Sequence, residues 1–153
     1  MKIMDFLSED SIIVDLKSID KKSAIVELVD VLKDTGKINE TKEITNIIFD
    51  REKLSSTGIG QGVAIPHCKT NFINKQFGAL GISHKGIEFN SLDGELVYII
   101  FLFISQKDID GQHFKALSKI SRLFKNKNLR ESIKKSTNID EIIKIINQYD
   151  NVN

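Results

Sequence analysis

Apolar residues recur along the chain with two different periods, and the changes of period divide it into elements. From Asp20 onward, Ile25, Leu28, Val29 and Leu32 stand at i, i+3, i+4 and i+7, the buried stripe of an amphipathic helix. Gly36 ends that helix, because the left-handed turn after a last helical residue suits a residue without Cβ. A second helix is expected from Glu40 to Leu54, with Ile44, Ile47 and Ile48 as its stripe. The next position on that face is Arg51, and a guanidinium placed there must find an anion or snorkel to water.

Strand patterns are fewer. Ser11 to Leu16 is a short β-branched run, and Gly78 to Ser83 and Glu95 to Ile104 read as two more strands. The last of these is apolar almost throughout, as a strand covered on both faces would be. His84-Lys85-Gly86 and Ser91-Leu92-Asp93-Gly94 carry turn chemistry between them. The final third is helical: Phe114, Leu117, Ile120 and Phe124 mark a helix starting near Asp110-Gly111, a short segment follows around Leu129 and Ile133, and Ile139, Ile142, Ile143 and Ile146 mark the last helix. Asn138 is its expected N-cap, with Glu141 three residues on. Helices before, between and after a few strands predict an α/β layer structure with helices on both faces of the sheet.

Composition adds limits rather than detail. The 153 residues suit one domain with a sizeable core, with 41% apolar and 28% charged residues and a net charge of +1. That balance lacks the basic excess of a nucleic-acid binder, and the short lysine clusters at 125–127 and 134–135 read as solvated helix faces. Cys68 is the one cysteine, so no internal disulfide can form, in keeping with a reducing cytoplasm. The longest apolar run, Val97 to Ile104, is too short to span a bilayer. The N-terminus lacks the apolar stretch of an export signal, and a cytoplasmic chain is expected.

Chemistry concentrates in Asp50-Arg51-Glu52-Lys53-Leu54-Ser55-Ser56-Thr57-Gly58-Ile59-Gly60-Gln61-Gly62-Val63-Ala64-Ile65-Pro66-His67. The glycines match neither a dinucleotide fingerprint, since Val63 stands where a third glycine belongs, nor a Walker A loop, since no Gly-Lys-Ser/Thr follows. The run also follows a helix rather than a strand. Backbone N–H groups at Gly58, Gly60 and Gly62 could approach an anion, with Thr57 adding a hydroxyl, while Ser55 and Ser56 cap or turn the chain. His67 follows, its backbone stiffened by Pro66, the only proline. A neutral imidazole is nucleophilic near pH 7 and can be pinned through its second nitrogen, which suits reversible phosphoryl acceptance. Phosphoryl transfer needs positioning and charge stabilisation above all, and Arg51 can supply the charge bidentately unless it pairs with Asp50 or Glu52 at the surface. His113, at a helix start, can donate to the phosphoryl group or orient His67, or stand as an ordinary first-turn residue. His84 reads as a surface residue. Cys68 alternates with His67 on an extended backbone, so the two point apart, and three histidines with one cysteine lack zinc-ligand spacing.

The segment from Arg51-Glu52 through Ser-Thr-Gly-x-Gly-x-Gly-x-Ala-x-Pro to His67 resembles the phosphorylation signature of enzyme IIA domains of the fructose–mannitol class, which includes nitrogen-regulatory IIA proteins. Asp110-x-x-His113-Phe114-x-x-Leu117 resembles that family's second histidine motif. Gln61 and Cys68 depart from common family residues, which bears on subclass more than on function.

The resemblance implies a mannitol-type IIA fold, a mixed sheet of about five strands with helices on both faces, as one domain over 1–153. It implies that His67 takes phosphate on Nε2 from the phosphocarrier HPr and passes it to a IIB component, with Arg51 and His113 lining the site. Neither metal nor organic cofactor is expected, nor membrane insertion. Three functions are in view: a sugar-uptake relay, a regulatory IIA protein whose phosphorylation state controls its partners, and an interaction module without phosphoryl transfer.

Overall fold

The computed structural model describes residues 1–107 and 111–151. After a single 3-10 turn (Ile3–Asp5), the elements run β1 (Leu7–Ile13), α1 (Lys21–Asp34), α2 (Thr41–Leu54), β2 (Gly58–Gly60), β3 (Val63–Ala64), β4 (His67–Thr70), β5 (Phe77–Ile87), β6 (Val97–Gln106), α3 (Gln112–Phe124), α4 (Lys127–Lys135) and α5 (Ile139–Asp150). The six strands form one mixed sheet in the order β1-β5-β6-β3-β2, and β4 pairs with β6 beyond the end of β3. β1 runs parallel to β5, β5 antiparallel to β6, and β3 and β4 both parallel to β6.

β6 organises the core. From Ile99 onward its side chains alternate between faces, with Ile99, Phe101 and Phe103 under α3, α4 and α5, and Ile100, Leu102 and Ile104 under α1 and α2, where Val97 at the strand start also packs. All seven are fully buried, which explains why this strand reads as a continuous apolar run. The helical stripes behave as their spacing predicts: Ile25, Leu28, Val29 and Leu32 of α1 are fully buried, as are Ile44 and Ile48 of α2 and Ile142 and Ile146 of α5. The Asp20 carboxylate accepts from the Ser23 amide at 2.9 Å and the Asn138 side chain from the Glu141 amide at 2.9 Å, so both helix starts are side-chain capped. Gly36 takes φ +78° just past α1. Among the described residues no helix is long and apolar enough to cross a membrane.

Three expectations need correction. β1 begins at Leu7 and ends at Ile13, several residues before the run Ser11 to Leu16 suggested. His84-Lys85-Gly86 is not a turn but lies inside β5, where the register shifts between Ile82 and Ile87 and Gly86 takes φ +85°. Phe114 is not on the buried face of α3: that face is His113, Ala116, Ile120, Leu123 and Phe124, while Phe114 is 63% exposed. The expected mixed sheet of about five strands with helices on both faces is present, with six strands because the glycine segment and the residues after Pro66 are themselves paired. Asp110, expected near the start of α3, lies outside the described residues.

Candidate active site

The register of β4 on β6 delivers His67. Val63 and Ala64 pair with Ile99 and Ile100, the Phe103 amide donates to the Pro66 carbonyl at 2.9 Å, and His67 pairs with Phe103. Beyond Pro66 the strand therefore continues along β6, with α2 packed against it and His113 of α3 beside its first residue, His67. Across it opens a cleft of about 570 Å³, lined by Ile47 and Arg51 of α2, His67, Cys68 and Lys69 of β4, Lys107, and His113 and Phe114 of α3. Three helix and strand segments distant in sequence thus meet at His67.

The His67 ring is oriented by its own backbone: Nδ1 lies 2.7 Å from the Ile65 carbonyl oxygen. A carbonyl can only accept, so Nδ1 carries the hydrogen and Nε2 keeps the free lone pair when the ring is neutral. Burial lowers the His67 pKa from its ordinary value. The Ile65 hydrogen bond and the charge of Glu52 oppose that shift, and the cations of Arg51 and Lys69 add to it. The result favours the neutral, nucleophilic ring.

His113 is the second residue of α3 and is 2% exposed. Its ring centroid lies 5.6 Å from that of His67 and 5.5 Å from Phe103, and its Nδ1 is 2.5 Å from Ser105 Oγ. Arg51, in the last turn of α2, is half-buried; its Nη1 donates to the Ser55 carbonyl at 2.9 Å, and among the described residues it makes no ion pair with Asp50 or Glu52. Instead Asp50 faces Lys53. Arg51, Lys69 and Lys107 give the cleft three cations, with no carboxylate among its described lining residues. Such a wall suits a multiply charged oxyanion such as a phosphoryl group.

The expected glycine cradle is placed elsewhere. Thr57, Gly58, Gly60 and Gly62 do not line the cleft. β2 and β3 form a tight hairpin through Gln61, with Gly60 at φ +97°, Gln61 at +57° and Gly62 at +81°. The glycines make that reversal possible, and Gly58 also lets the hairpin press against Ser91. The Gly58 amide donates to Ser56 Oγ and the Gln61 amide to Asp93, so these donors are already engaged. Thr57 is buried, and both its amide and its hydroxyl donate to the Glu52 carboxylate.

Glu52 and Lys69 escaped sequence reasoning. Lys69 was within reach of it, since a residue two beyond His67 on a strand shares its face; its ammonium sits 4.8 Å from the Phe114 ring. Lys107 has no local signal and reaches the cleft because its amide continues the pairing to Thr70. Cys68 faces away, into the core under α1 and α2, where burial pushes its thiol up to about 12. His84 is exposed, with Nε2 2.9 Å from the Val14 carbonyl.

Comparison with known proteins follows the same lines. Residues 5–149 match the family described as "Phosphoenolpyruvate-dependent sugar phosphotransferase system, EIIA 2". The chain is 37% identical over 150 residues to the PTS system fructose-specific EIIABC component of Bacillus subtilis; that alignment takes in 98% of this chain but only 24% of the Bacillus protein. The crystal structure of nitrogen regulatory protein IIA-Ntr from Neisseria meningitidis superposes with a TM-score of 0.86 at 30% identity, covering 94% of this chain and 98% of that one. Enzyme IIA of the mannitol system of Escherichia coli, solved in complex with its phosphorylated IIB, shares the fold with a TM-score of 0.79 at 18% identity, over 92% and 96% of the two chains.

Proposed function

Because the chain belongs to the EIIA type 2 family of the phosphoenolpyruvate-dependent sugar phosphotransferase system, we propose that it carries a phosphoryl group on Nε2 of His67, accepted from HPr and passed to a IIB component. Domains of this family are phosphotransferase components. The observation that carries the reading is the His67 ring itself, held through Nδ1–H by the Ile65 carbonyl so that Nε2 is the basic nitrogen at a cleft walled by Arg51, Lys69 and Lys107.

In the transfer, the Nε2 lone pair attacks phosphorus as the bond from phosphorus to the donor breaks. The new N–P bond leaves the Nδ1 proton where it was, shared with Ile65. Arg51 swings from the Ser55 carbonyl onto the phosphoryl oxygens, and His113 stands beside the acceptor ring as a hydrogen-bonding neighbour. The chemistry on this chain needs no metal or organic cofactor, and it takes place on the cytoplasmic side, where the donor is. We assign Thr57, Gly58, Gly60 and Gly62 to holding the hairpin rather than to contacting phosphate.

Incubation with phosphoenolpyruvate, enzyme I and HPr is expected to give an acid-labile phosphate on the wild type and none on His67→Ala. Labelling that survives the substitution would sink the assignment. A second reading, a regulatory protein whose phosphorylation state selects its partners, draws on the near-complete mutual coverage with the nitrogen regulatory protein. Rapid discharge to a fructose- or mannitol-type IIB supports the relay, whereas a complex formed only by the dephosphorylated protein supports regulation.

A further inference from the structure

Among the described residues, Glu52 is the one carboxylate buried close to the candidate site, and its partners form a connected path to the acceptor ring. Its side chain is 5% exposed and pairs at 2.7 Å with Lys21 Nζ from the first turn of α1. The same carboxylate accepts the Thr57 amide at 3.2 Å and the Thr57 hydroxyl. The Thr57 carbonyl in turn accepts the Ile65 amide at 2.9 Å, and the Ile65 carbonyl accepts Nδ1–H of His67 at 2.7 Å. Lys21 is fixed as well, reaching the Phe89 carbonyl at 3.3 Å and lying over the Phe89 ring.

The consequence concerns the direction of one carbonyl. On the β6 side, Ala64 and Pro66 are held by the sheet, the latter through the Phe103 amide. On the opposite side, the Ile65 amide is held by Thr57. With the 64–65 peptide held through the Ile65 amide, the 66–67 peptide held through the Pro66 carbonyl, and the Pro66 ring fixing φ between them, the Ile65 carbonyl is confined to a narrow range of directions that includes the one the imidazole needs. Thr57 can hold Ile65 only if Thr57 is itself anchored, and a two-point attachment to a buried carboxylate supplies the anchor. A charged residue costs stability when buried unless paired and hydrogen-bonded. Glu52 meets that condition while its neighbour Arg51 points to the cleft.

We infer that Glu52 is a positioning residue for the phosphoryl acceptor, setting the orientation and tautomer of the His67 ring through Thr57 and Ile65. The inference rests on the reading of His67 as acceptor, but its primary test does not require phosphorylation.

The test is ¹⁵N NMR of the His67 imidazole, titrated with pH, in the wild type, Glu52→Gln, Thr57→Val and Thr57→Ser. The groups bearing on the titration are Arg51 and Glu52 from α2, Lys69 from β4, His113 from α3, and Lys107. The wild type and Thr57→Ser, which keeps the hydroxyl, are expected to hold the Nδ1–H tautomer. Glu52→Gln and Thr57→Val are expected to shift the ring toward a mixture of tautomers, Glu52→Gln also lowering its pKa further. Loss of fixed geometry should slow phosphoryl acceptance from HPr by tenfold to a hundredfold, as an order of magnitude. Retention of the wild-type tautomer in Thr57→Val and Glu52→Gln, whatever happens to their melting temperatures, would overturn the inference. Should Glu52→Gln not fold, the near-isosteric Thr57→Val decides alone. A wild type that takes no phosphate, with Glu52→Gln and Thr57→Val still showing these tautomer shifts, would reject the phosphoryl-carrier reading and leave the positioning role standing.

Discussion

The Nδ1 atom of His67 lies 2.7 Å from the carbonyl oxygen of Ile65, a contact that reaches back over the intervening proline. Pro66 fixes φ between the two residues, which limits how the chain can reach from that carbonyl to the ring. The ring is thereby docked onto its own main chain before any partner arrives, and the tautomer it adopts exposes the lone pair of Nε2. Preorganisation of this kind lowers the entropy lost when donor and acceptor meet in line.

Burial is the largest influence on His67, and it favours the neutral ring. The acid limb of phosphoryl acceptance should therefore have its midpoint below the ordinary histidine value of 6.5. The sign for stability follows from the same shift. Between the lowered folded-state pKa and the unfolded value, the unfolded chain binds the additional proton, so the contribution is fully present above about pH 6.5 and lost as pH falls through the folded pKa. An NMR titration of His67 paired with a rate profile checks both; a midpoint at or above 6.5 in either would contradict it.

Arg51 is half-buried at the edge of the cleft and, among the described residues, its side chain is bonded to the Ser55 carbonyl alone, an interaction it can exchange for an anion. Arg51→Ala should leave the thermal midpoint near wild type while slowing phosphoryl acceptance by about tenfold to a hundredfold, the usual worth of a hydrogen bond to a charged group. Arg51→Lys should recover only part of the rate, since an ammonium cannot make the forked contact. Stopped-flow transfer from phosphorylated HPr measures this, and equal rates for wild type and Arg51→Ala would remove Arg51 from the site.

Gly58 is packed closely against Ser91. A Cβ there would sit 2.3 Å from Ser91 Oγ and 3.0 Å from the Ser91 main chain. Gly58→Ala should cost roughly 1–3 kcal/mol in a denaturant titration, the range for forcing atoms into a packed region. Pairing it with Ser91→Gly should restore part of the loss, because the hydroxyl and Cβ that obstruct the new methyl are then gone. A neutral Gly58→Ala would mean that the hairpin yields more easily than its contacts imply.

What was legible in the sequence follows a physical division. The helix stripes and the caps Asp20 and Asn138 could be read because they depend on neighbours within a turn or two. β2, β3 and β4 could not, because strands of two to four residues carry no measurable alternation and exist through their pairing with β6. The three site elements carrying Arg51, His67 and His113 were identifiable from residue type, and the cleft brings them together. In the glycine segment residue type was ambiguous, because alternating glycines look alike whether they face an anion or build a reversal, and here they build the β2–β3 reversal outside the cleft lining. Glu52 was invisible for another reason: a carboxylate reads as surface, and only its pairing with Lys21, on a different helix, reveals it as buried.

His113 is buried against Phe103 and beside His67, with Ser105 Oγ at its Nδ1. Its removal therefore acts on two links at once. His113→Ala should open a void on the α3 face and strip Ser105 of a partner, costing about 1–3 kcal/mol of stability, and it should also reduce the rate of phosphoryl acceptance. Ser105→Ala separates the two effects. That variant keeps the ring and its packing but removes the Ser105 hydroxyl from Nδ1, so it should cost less stability while still lowering the rate if the Ser105 contact orients the His113 ring for the transfer. Denaturation and single-turnover transfer on both variants decide between these roles. A Ser105→Ala protein that transfers at the wild-type rate would leave His113 as a packing residue whose orientation the chemistry does not use.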